Sequence, residues 1–356
     1  MWESEDDDHG DDRPAGAMGG ANAAALASGH APLAPAGRPS IGVGTWSWGN
    51  QFLWGYQPER DDLALEATFH RALALGLHFF DTADSYGTGR FNGRSESLLG
   101  RFAASLAPDQ RAALYVATKL APFPWRLGRR GFAGPFAASF QRLGGKLDRV
   151  QLHWSTARYA PWQEDPLLQG LADLVEQGAV ASLGVSNVGP RRLGRIQRLL
   201  GERGLPLASL QVQLSLLSPE AVAPGGLADQ CRQAGIQLIA YSPLALGLLT
   251  DATSLGQPLP GGPRGLLYRR LLPRIEPLLD EMRRVATAHG GQVAEVALNW
   301  CRAHGALPIP GLRSVAQAEM AAAALGWMPS EEEVAALDRL AFGLPVRMPA
   351  NPFQAA

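Results

Sequence analysis

From about residue 39 the chain alternates between two hydrophobic periods. Short apolar or β-branched runs read as strands: "SIGVGTWSW", "LHFFDTA", "ALYVATKL", "RVQLHW", "SLGVSN", "SLQVQLS", "IQLIAYSP" and "LPIPG", eight in all. Between them apolar residues recur three and four apart, as on one face of a helix. "RDDLALEATFHRALALG" and "IEPLLDEMRRVATAHGG" are the clearest of these segments, and the second ends in glycine, as helices often do. Most of the strands read as apolar on both faces, which suits a parallel sheet covered by helices. Eight strand–helix units in about 290 residues predict an α/β fold, a (β/α)8 or TIM barrel, with a doubly wound open sheet as the alternative. The longest break, "ALGLLTDATSLGQPLPGGPRGLLYRR", is rich in Gly and Pro and shows no obvious helix until about Leu271. A loop of that length in a compact domain is usually functional or disordered.

Composition narrows the class. The 356 residues are 46% hydrophobic and 18% charged, enough for a sizeable core, and the net charge of -1 gives no argument for nucleic acid or an anionic membrane. No apolar run reaches the ~18 residues of a membrane span. Two cysteines, Cys231 and Cys301, stand in unrelated contexts, so neither a disulfide framework nor a metal cluster is expected. A reducing, cytoplasmic setting fits. The start, "MWESEDDDHGDDRPAGAMGG", is acidic and then Gly- and Ala-rich, unlike a secretory signal or a transit peptide. The expected organisation is a disordered tail over residues 1–38, one barrel over 39–345 and a C-terminal tail over 346–356.

A (β/α)8 barrel carries its active site at the C-terminal ends of the strands. The second strand ends in Asp81, with Tyr86 just beyond; the third ends in Lys119 and the fourth in His153. The fifth ends in Ser186 and Asn187, the sixth carries Gln211, and the seventh carries Tyr241 before "SPL". Taken singly these have ordinary explanations: an ion pair between adjacent strands, an interior histidine, a loop aromatic. Together, an acid, a phenol, an amine and an imidazole on three consecutive strands would share one mouth. A free tyrosine titrates near ~10. A neighbouring lysine would lower that value and tune Tyr86 as a general acid for a carbonyl oxygen, and an aspartate would hold the lysine. The set lacks a reductant, so a hydride-donating cofactor is required.

"GTGRFNG" is one residue too long for a dinucleotide-binding glycine motif and follows the wrong strand. "IPGLRSVAQAE" is the better phosphate site, because Arg313 and Ser314 stand at a helix start. Trp46, Trp48, Trp54, Trp125, Trp154 and Trp162 fall near strand ends or in the loops beyond them, where some would line an apolar pocket; Trp300 reads as core, and Cys301 beside it, with no basic partner in sequence, as inert.

The stretches "GVGTWSWG", "FFDTADSYG", "ATKL", "LHW", "LGVSN", "AYSPLALGLL" and "VALNWCRAHGALPIPG" together resemble the aldo-keto reductase superfamily. The likeness runs from about Ile41 to Leu344 and is greatest to the plant and cyanobacterial type. The resemblance implies a (β/α)8 barrel, NADPH as cofactor, and Asp81, Tyr86, Lys119 and His153 as catalytic groups with Tyr86 the proton donor. It further implies that Ser186, Asn187 and Gln211 hold the nicotinamide carboxamide and that Tyr241 stacks on its ring. Thr45, Trp46, Ser242, Pro243 and Leu244 would line the cofactor, Arg313 and Gln317 would bind the 2′-phosphate end, and Arg264 would contact the pyrophosphate. Met320 and Ala321 replace a Glu-Asn pair that many members use on the adenine. The expected activity is reduction of a small-molecule aldehyde or ketone, with no nucleic acid, membrane or metal involved. Two alternatives remain at this stage: a cofactor-binding redox sensor or regulator with little turnover, and a Schiff-base lyase using Lys119.

Overall fold

The computed structural model describes residues 40–253 and 258–351; the expected N-terminal tail lies outside them. All eight expected strands form: β1 (Val43–Gly44), β2 (Phe79–Asp81), β3 (Tyr115–Leu120), β4 (Arg149–Leu152), β5 (Ser182–Ser186), β6 (Ser209–Gln213), β7 (Gln237–Tyr241) and β8 (Leu307–Ile309). They pair in parallel in sequence order. Backbone bonds from Gly42 N to Pro308 O and from Gly44 N to Pro310 O, both 2.9 Å, join the first strand to the last and close the barrel. The open sheet is thereby excluded.

The register separates two faces. Phe80, Val116, Val150, Leu152, Leu183, Val185, Leu210 and Leu238 face the surrounding helices and belong to the large apolar core. The opposite face is not apolar throughout, which corrects the sequence-based expectation. Phe79, Ala117, Ile239, Leu307 and Ile309 form a small interior cluster. Arg149, Gln151, Ser209 and Gln211 share the barrel interior with it, all at most 3% exposed. Successive residues of a strand alternate between faces, so such polar residues sit inside while their neighbours pack outward. At the lower end Arg149 Nε donates to Ser182 Oγ at 3.1 Å, and its guanidinium lies 5.5 Å from the centre of the Tyr115 ring.

The helix expected before the second strand runs Pro58–Ala74. The long break after β7 is shorter than the sequence suggests, because a 28-residue helix, Gly262–His289, already begins there. Pro263 opens it, and Pro273 and Pro277 lie inside it on exposed positions one turn apart. A proline is tolerated in a first turn but discouraged within a helix, and that hid the helix from the sequence pattern. Apolar residues such as Leu271, Leu272, Ile275, Leu278 and Leu279 bury its other face. Trp48 and Trp300 are fully buried: Trp48 packs against Phe80 and Phe102, and Trp300 Nε1 donates to Asp338.

The chain beyond Leu344 is packed as far as it is described. Met348 N donates to Leu217 O at 2.9 Å, and Gln213 Nε2 donates to Pro349 O at 3.3 Å.

The closing seam tests the barrel. A Cβ on Gly44 would stand 2.8 Å from the Ile309 carbonyl oxygen, against the backbone of Ile309 and Pro310 rather than a flexible side chain that could yield. Gly44→Ala is expected to lower stability by about 1–3 kcal/mol, read as an earlier urea midpoint with an unchanged slope.

Candidate active site

Asp81 ends β2 and Lys119 lies in β3, and the register of the parallel pairs turns both into the barrel mouth. Each is about 1% exposed. Lys119 Nζ donates to Asp81 Oδ2 and, at 2.8 Å, to the carbonyl of Thr82. The other carboxylate oxygen, Oδ1, accepts from Gln151 Nε2 at 3.1 Å and Gln211 Nε2 at 2.8 Å. Burial draws the Lys119 ammonium below its ordinary range, and the Asp81 carboxylate opposes that shift.

Tyr86 follows on the turn after β2. Gly87 makes that turn possible: its φ is +114°, and a Cβ there would meet the Phe91 carbonyl oxygen at 1.8 Å. The Lys119 ammonium stands over the Tyr86 ring, 4.9 Å from its centre. His153, just past β4, lies edge-to-face with Tyr86 at 5.7 Å. Its backbone N–H donates to Leu120 O, and its Nδ1 is 3.3 Å from Ser85 Oγ. The four residues expected at one mouth are therefore together.

Their ionisation departs from expectation in one respect. Burial, and then the charges of Asp81 and Asp84, push the Tyr86 phenol well above its usual range. The sequence suggested a phenol lowered by Lys119. Among the described residues the acids and the loss of solvent dominate, and the phenol stays protonated through neutral pH. Burial, Lys119 and Arg126 push His153 well below the usual imidazole range, so it is neutral there.

On the far side of the mouth, Ser186 Oγ donates to Gln211 O at 3.0 Å. Asn187 (φ +60°) donates through Nδ2 to His153 O and Ser186 Oγ, and its Oδ1 accepts from the Tyr241 hydroxyl at 2.8 Å. Ser242, also at positive φ, with Pro243 and Leu244 begins the loop after β7. Trp46 is 37% exposed at the rim. Thr45 is fully buried, with its hydroxyl bonded to Asp81 O and Ser95 Oγ, its N–H donating to Asp81 O and its carbonyl accepting from Trp48 N and Ser95 Oγ, so it shapes the rim rather than offering a free polar group.

A second group lies farther along the groove. Arg264 and Arg313 both approach the Trp54 ring, at 4.4 and 5.7 Å from its centre. Ser314 caps the helix Val315–Ala323 by accepting from Gln317 N, and Gln317 Oε1 accepts from Arg313 N at 2.7 Å. Ser47 Oγ, Trp54 Nε1 and Arg264 Nε are buried without a hydrogen-bond partner among the described residues. Unpartnered donors beside two guanidinium groups and a helix N-terminus suit an anionic, phosphate-bearing ligand. Amide- and hydroxyl-bearing groups at the mouth suit its uncharged end. The donor set thus fits an extended pyridine dinucleotide.

Residues 40–341 match the Aldo/keto reductase family over its characteristic domain. The chain belongs to the aldo/keto reductase family. It is 46% identical over 330 residues to the chloroplastic pyridoxal reductase of Arabidopsis thaliana, covering 90% of this chain and 88% of that one. It is 30% identical to the 6-dehydroglucose reductase of Novosphingobium aromaticivorans, over 83% of this chain and 91% of the relative. Among solved structures, a glycerol dehydrogenase from Gluconobacter oxydans matches with a TM-score of 0.71 at 25% identity, covering 88% of this chain and 94% of that one. An aldo/keto reductase from Klebsiella pneumoniae, in complex with NADP and acetate, matches with a TM-score of 0.64 at 26% identity, covering 90% and 96%.

In this aldo/keto reductase several site residues escaped the sequence reading. Gln151 lies within the recognised "VQLHW" strand, and its inward position follows once the register is known. Asp84 sits inside "DTADSYG", where it passes for a turn residue. Its partner Arg126 is in a loop with no motif, yet Arg126 Nη1 bonds both Asp84 Oδ2 and Ala121 O. Asn351, in the expected C-terminal tail, donates to Asn187 Oδ1 at 3.2 Å and to the Tyr241 hydroxyl at 2.8 Å. No local signal marks it. Among the described residues no group of three or more potential ligands could hold a metal ion, and no helix is long and apolar enough to cross a membrane. Ala321 is fully buried and Met320 is packed against the core.

With Tyr86 protonated and His153 neutral, kcat/KM for turnover is expected to show no break near neutral pH and to fall only well on the alkaline side. A profile with a break near neutral pH would show that one of the two groups titrates there.

Proposed function

We propose that this aldo/keto reductase reduces an aldehyde or ketone to the alcohol with NADPH as the reductant and Tyr86 as the proton donor. The observation that carries the reading is Tyr86 itself: a protonated phenol, under a lysine ammonium and edge-on to a neutral imidazole, at the open end of the barrel. Bound NADPH would supply the hydride. Every other part falls to the chain. His153, neutral, can donate a hydrogen bond to a carbonyl oxygen and orient it without competing as a stronger acid. Tyr86 gives up its proton only to a strong base, and an oxygen gaining alkoxide character is one. Lys119 stabilises the negative charge left on the phenol, and Asp81, Gln151 and Gln211 hold Lys119 in place.

Arg264, Arg313 and the Ser314 helix start would hold the phosphates, with Gln317 fixing the Arg313 backbone. Ser186, Asn187 and Tyr241 would receive the nicotinamide end. Lys119 is poorly placed as a Schiff-base nucleophile, because two oxygen acceptors hold its ammonium form.

The aromatic ring system beside the mouth supports an aromatic aldehyde. Phe123 and Trp125 stack at 4.9 Å, and Trp154 closes against both Phe123 and His153. The name of the Arabidopsis relative points the same way, toward pyridoxal. For the compartment, two free, buried cysteines suit a reducing one, and we read it as cytoplasmic.

Tyr86→Phe is expected to lower kcat by about 10²–10⁴-fold while the NADPH dissociation constant, read by fluorescence titration, stays nearly unchanged. Turnover near the parent rate in that variant would overturn the assignment. Arg313→Ala should weaken NADPH by about tenfold, roughly one charge-assisted hydrogen bond, and weaken NADH much less. Equal losses for the two nucleotides would remove Arg313 from the 2′-phosphate site.

A further inference from the structure

Arg126 is a cation at the substrate end of the barrel to which the reaction described above assigns no contact with substrate or cofactor. It lies in the loop after β3, and its guanidinium sits 4.9 Å from the centre of the Phe123 ring. Phe123 is edge-on to Trp154, which packs on His153, so Arg126 borders the same aromatic slot as the carbonyl-orienting imidazole. The loop is pinned: Gln163 Nε2, itself buried, donates to both Phe123 O and Arg126 O at 2.8 Å.

A structural role accounts for only part of this side chain. Arg126 binds Asp84 and the Ala121 carbonyl through one nitrogen, Nη1. Nε and Nη2 have no protein acceptor among the described residues, and the side chain is 16% exposed. A guanidinium carries five N–H donors in a planar fork, so most of its capacity is left for a ligand. Asp84, buried and two residues before Tyr86, fixes the fork at one corner and leaves Nε and Nη2 to a ligand. A pre-positioned, partly desolvated guanidinium over an aromatic face is suited to an anion carried on a flat ring.

We propose that Arg126 is a specificity-determining residue of the substrate pocket, favouring aromatic aldehydes that bear a negative charge on the ring, whether a phenolate or a carboxylate. This rests on the carbonyl-reductase reading above. The positive field of Arg126 already reaches His153, whose imidazole it helps to keep neutral.

Two substrate pairs separate the sources of charge. 4-Carboxybenzaldehyde against methyl 4-formylbenzoate tests a carboxylate. Pyridoxal, which carries a phenolate beside the aldehyde, against pyridine-4-carbaldehyde tests a phenolate. NADPH oxidation is followed for the wild type, Arg126→Gln, Arg126→Lys and the double variant Asp84→Asn/Arg126→Gln. The double variant removes both charges of the pair and so leaves no unpaired buried carboxylate. In the wild type the anionic member of at least one pair should be preferred about tenfold in kcat/KM. That ratio should fall toward one in Arg126→Gln and in the double variant, mainly through KM, and recover in part in Arg126→Lys. Taking ratios within each variant cancels any general loss of activity or folded protein. A wild type without preference, or a preference that survives in both neutral variants, overturns the proposal while leaving the carbonyl-reductase reading intact. A wild type that oxidises NADPH with none of the four aldehydes overturns both.

Discussion

The ion pair between Lys119 and Asp81 is the constraint around which this mouth is arranged. Two charges held at about 1% exposure are costly to desolvate, and such a pair contributes little net stability unless every remaining donor and acceptor is satisfied. Here partners come from four strands. Asp81 comes from β2, Lys119 from β3, Gln151 from β4 and Gln211 from β6, with the Thr82 carbonyl as the second acceptor of the ammonium. The cost of leaving any one partner unmatched fixes the relative height of those strands. That height sets where Tyr86 and His153 stand. The pair therefore acts as a register device, and Tyr86 and His153 inherit its precision.

Charge is divided across the mouth in a second way. The carboxylates of Asp81 and Asp84 lie beneath Tyr86, and the cations of Lys119 and Arg126 bear on His153. Burial is the first cause for both groups, and the two sets of charges add to it, the acids pushing the phenol up and the cations pushing the imidazole down. Both remain uncharged over a wide range of pH, and the charge at the mouth stays with the paired Lys119 and Asp81 and the paired Arg126 and Asp84. Asp84 also bears a carboxyl raised by its own burial, which its contact with Arg126 counters. A buried acid with one guanidinium corner against it is a strong orienting contact for Arg126 and a poor use of a five-donor group, unless the rest of the fork has another partner.

How far this was legible in the sequence depended on the range of the interactions. The eight strands were legible because each is a local run, and the strand-end groups because a barrel sends consecutive strand ends to one place. Interior polarity was legible only in part. Gln211 was named at the mouth, but Gln151 sits in a strand that reads as apolar, and only register shows that it turns inward. Pro273 and Pro277 masked a helix whose buried face was nonetheless regular. Asn351 and Arg126 were invisible for a different reason. Their partners, Asn187 and Tyr241 for one and Asp84 for the other, are separated from them by 42 to 164 positions, and no spacing rule spans that distance. The ionisation of Tyr86 failed at a third level: the partners were named correctly, but the balance between a cation over the ring, two acids and the loss of water is a property of geometry.

The division between the two faces of the barrel explains how such a site is tolerated. Burial of apolar side chains between strands and helices occupies the outer face of every strand and is continuous around the ring. The interior cluster of Phe79, Ala117, Ile239, Leu307 and Ile309 is small and comes from β2, β3, β7 and β8. The polar interior residues Gln151, Ser209 and Gln211 lie on β4 and β6, on the other side. Because the folding free energy is drawn from the outer shell, the inside of the barrel does not have to be a hydrocarbon core. It can carry charges whose net contribution to stability is near zero and whose positions are rigid. A protein that relied on its barrel interior for stability could not place a lysine, an aspartate and two glutamines there.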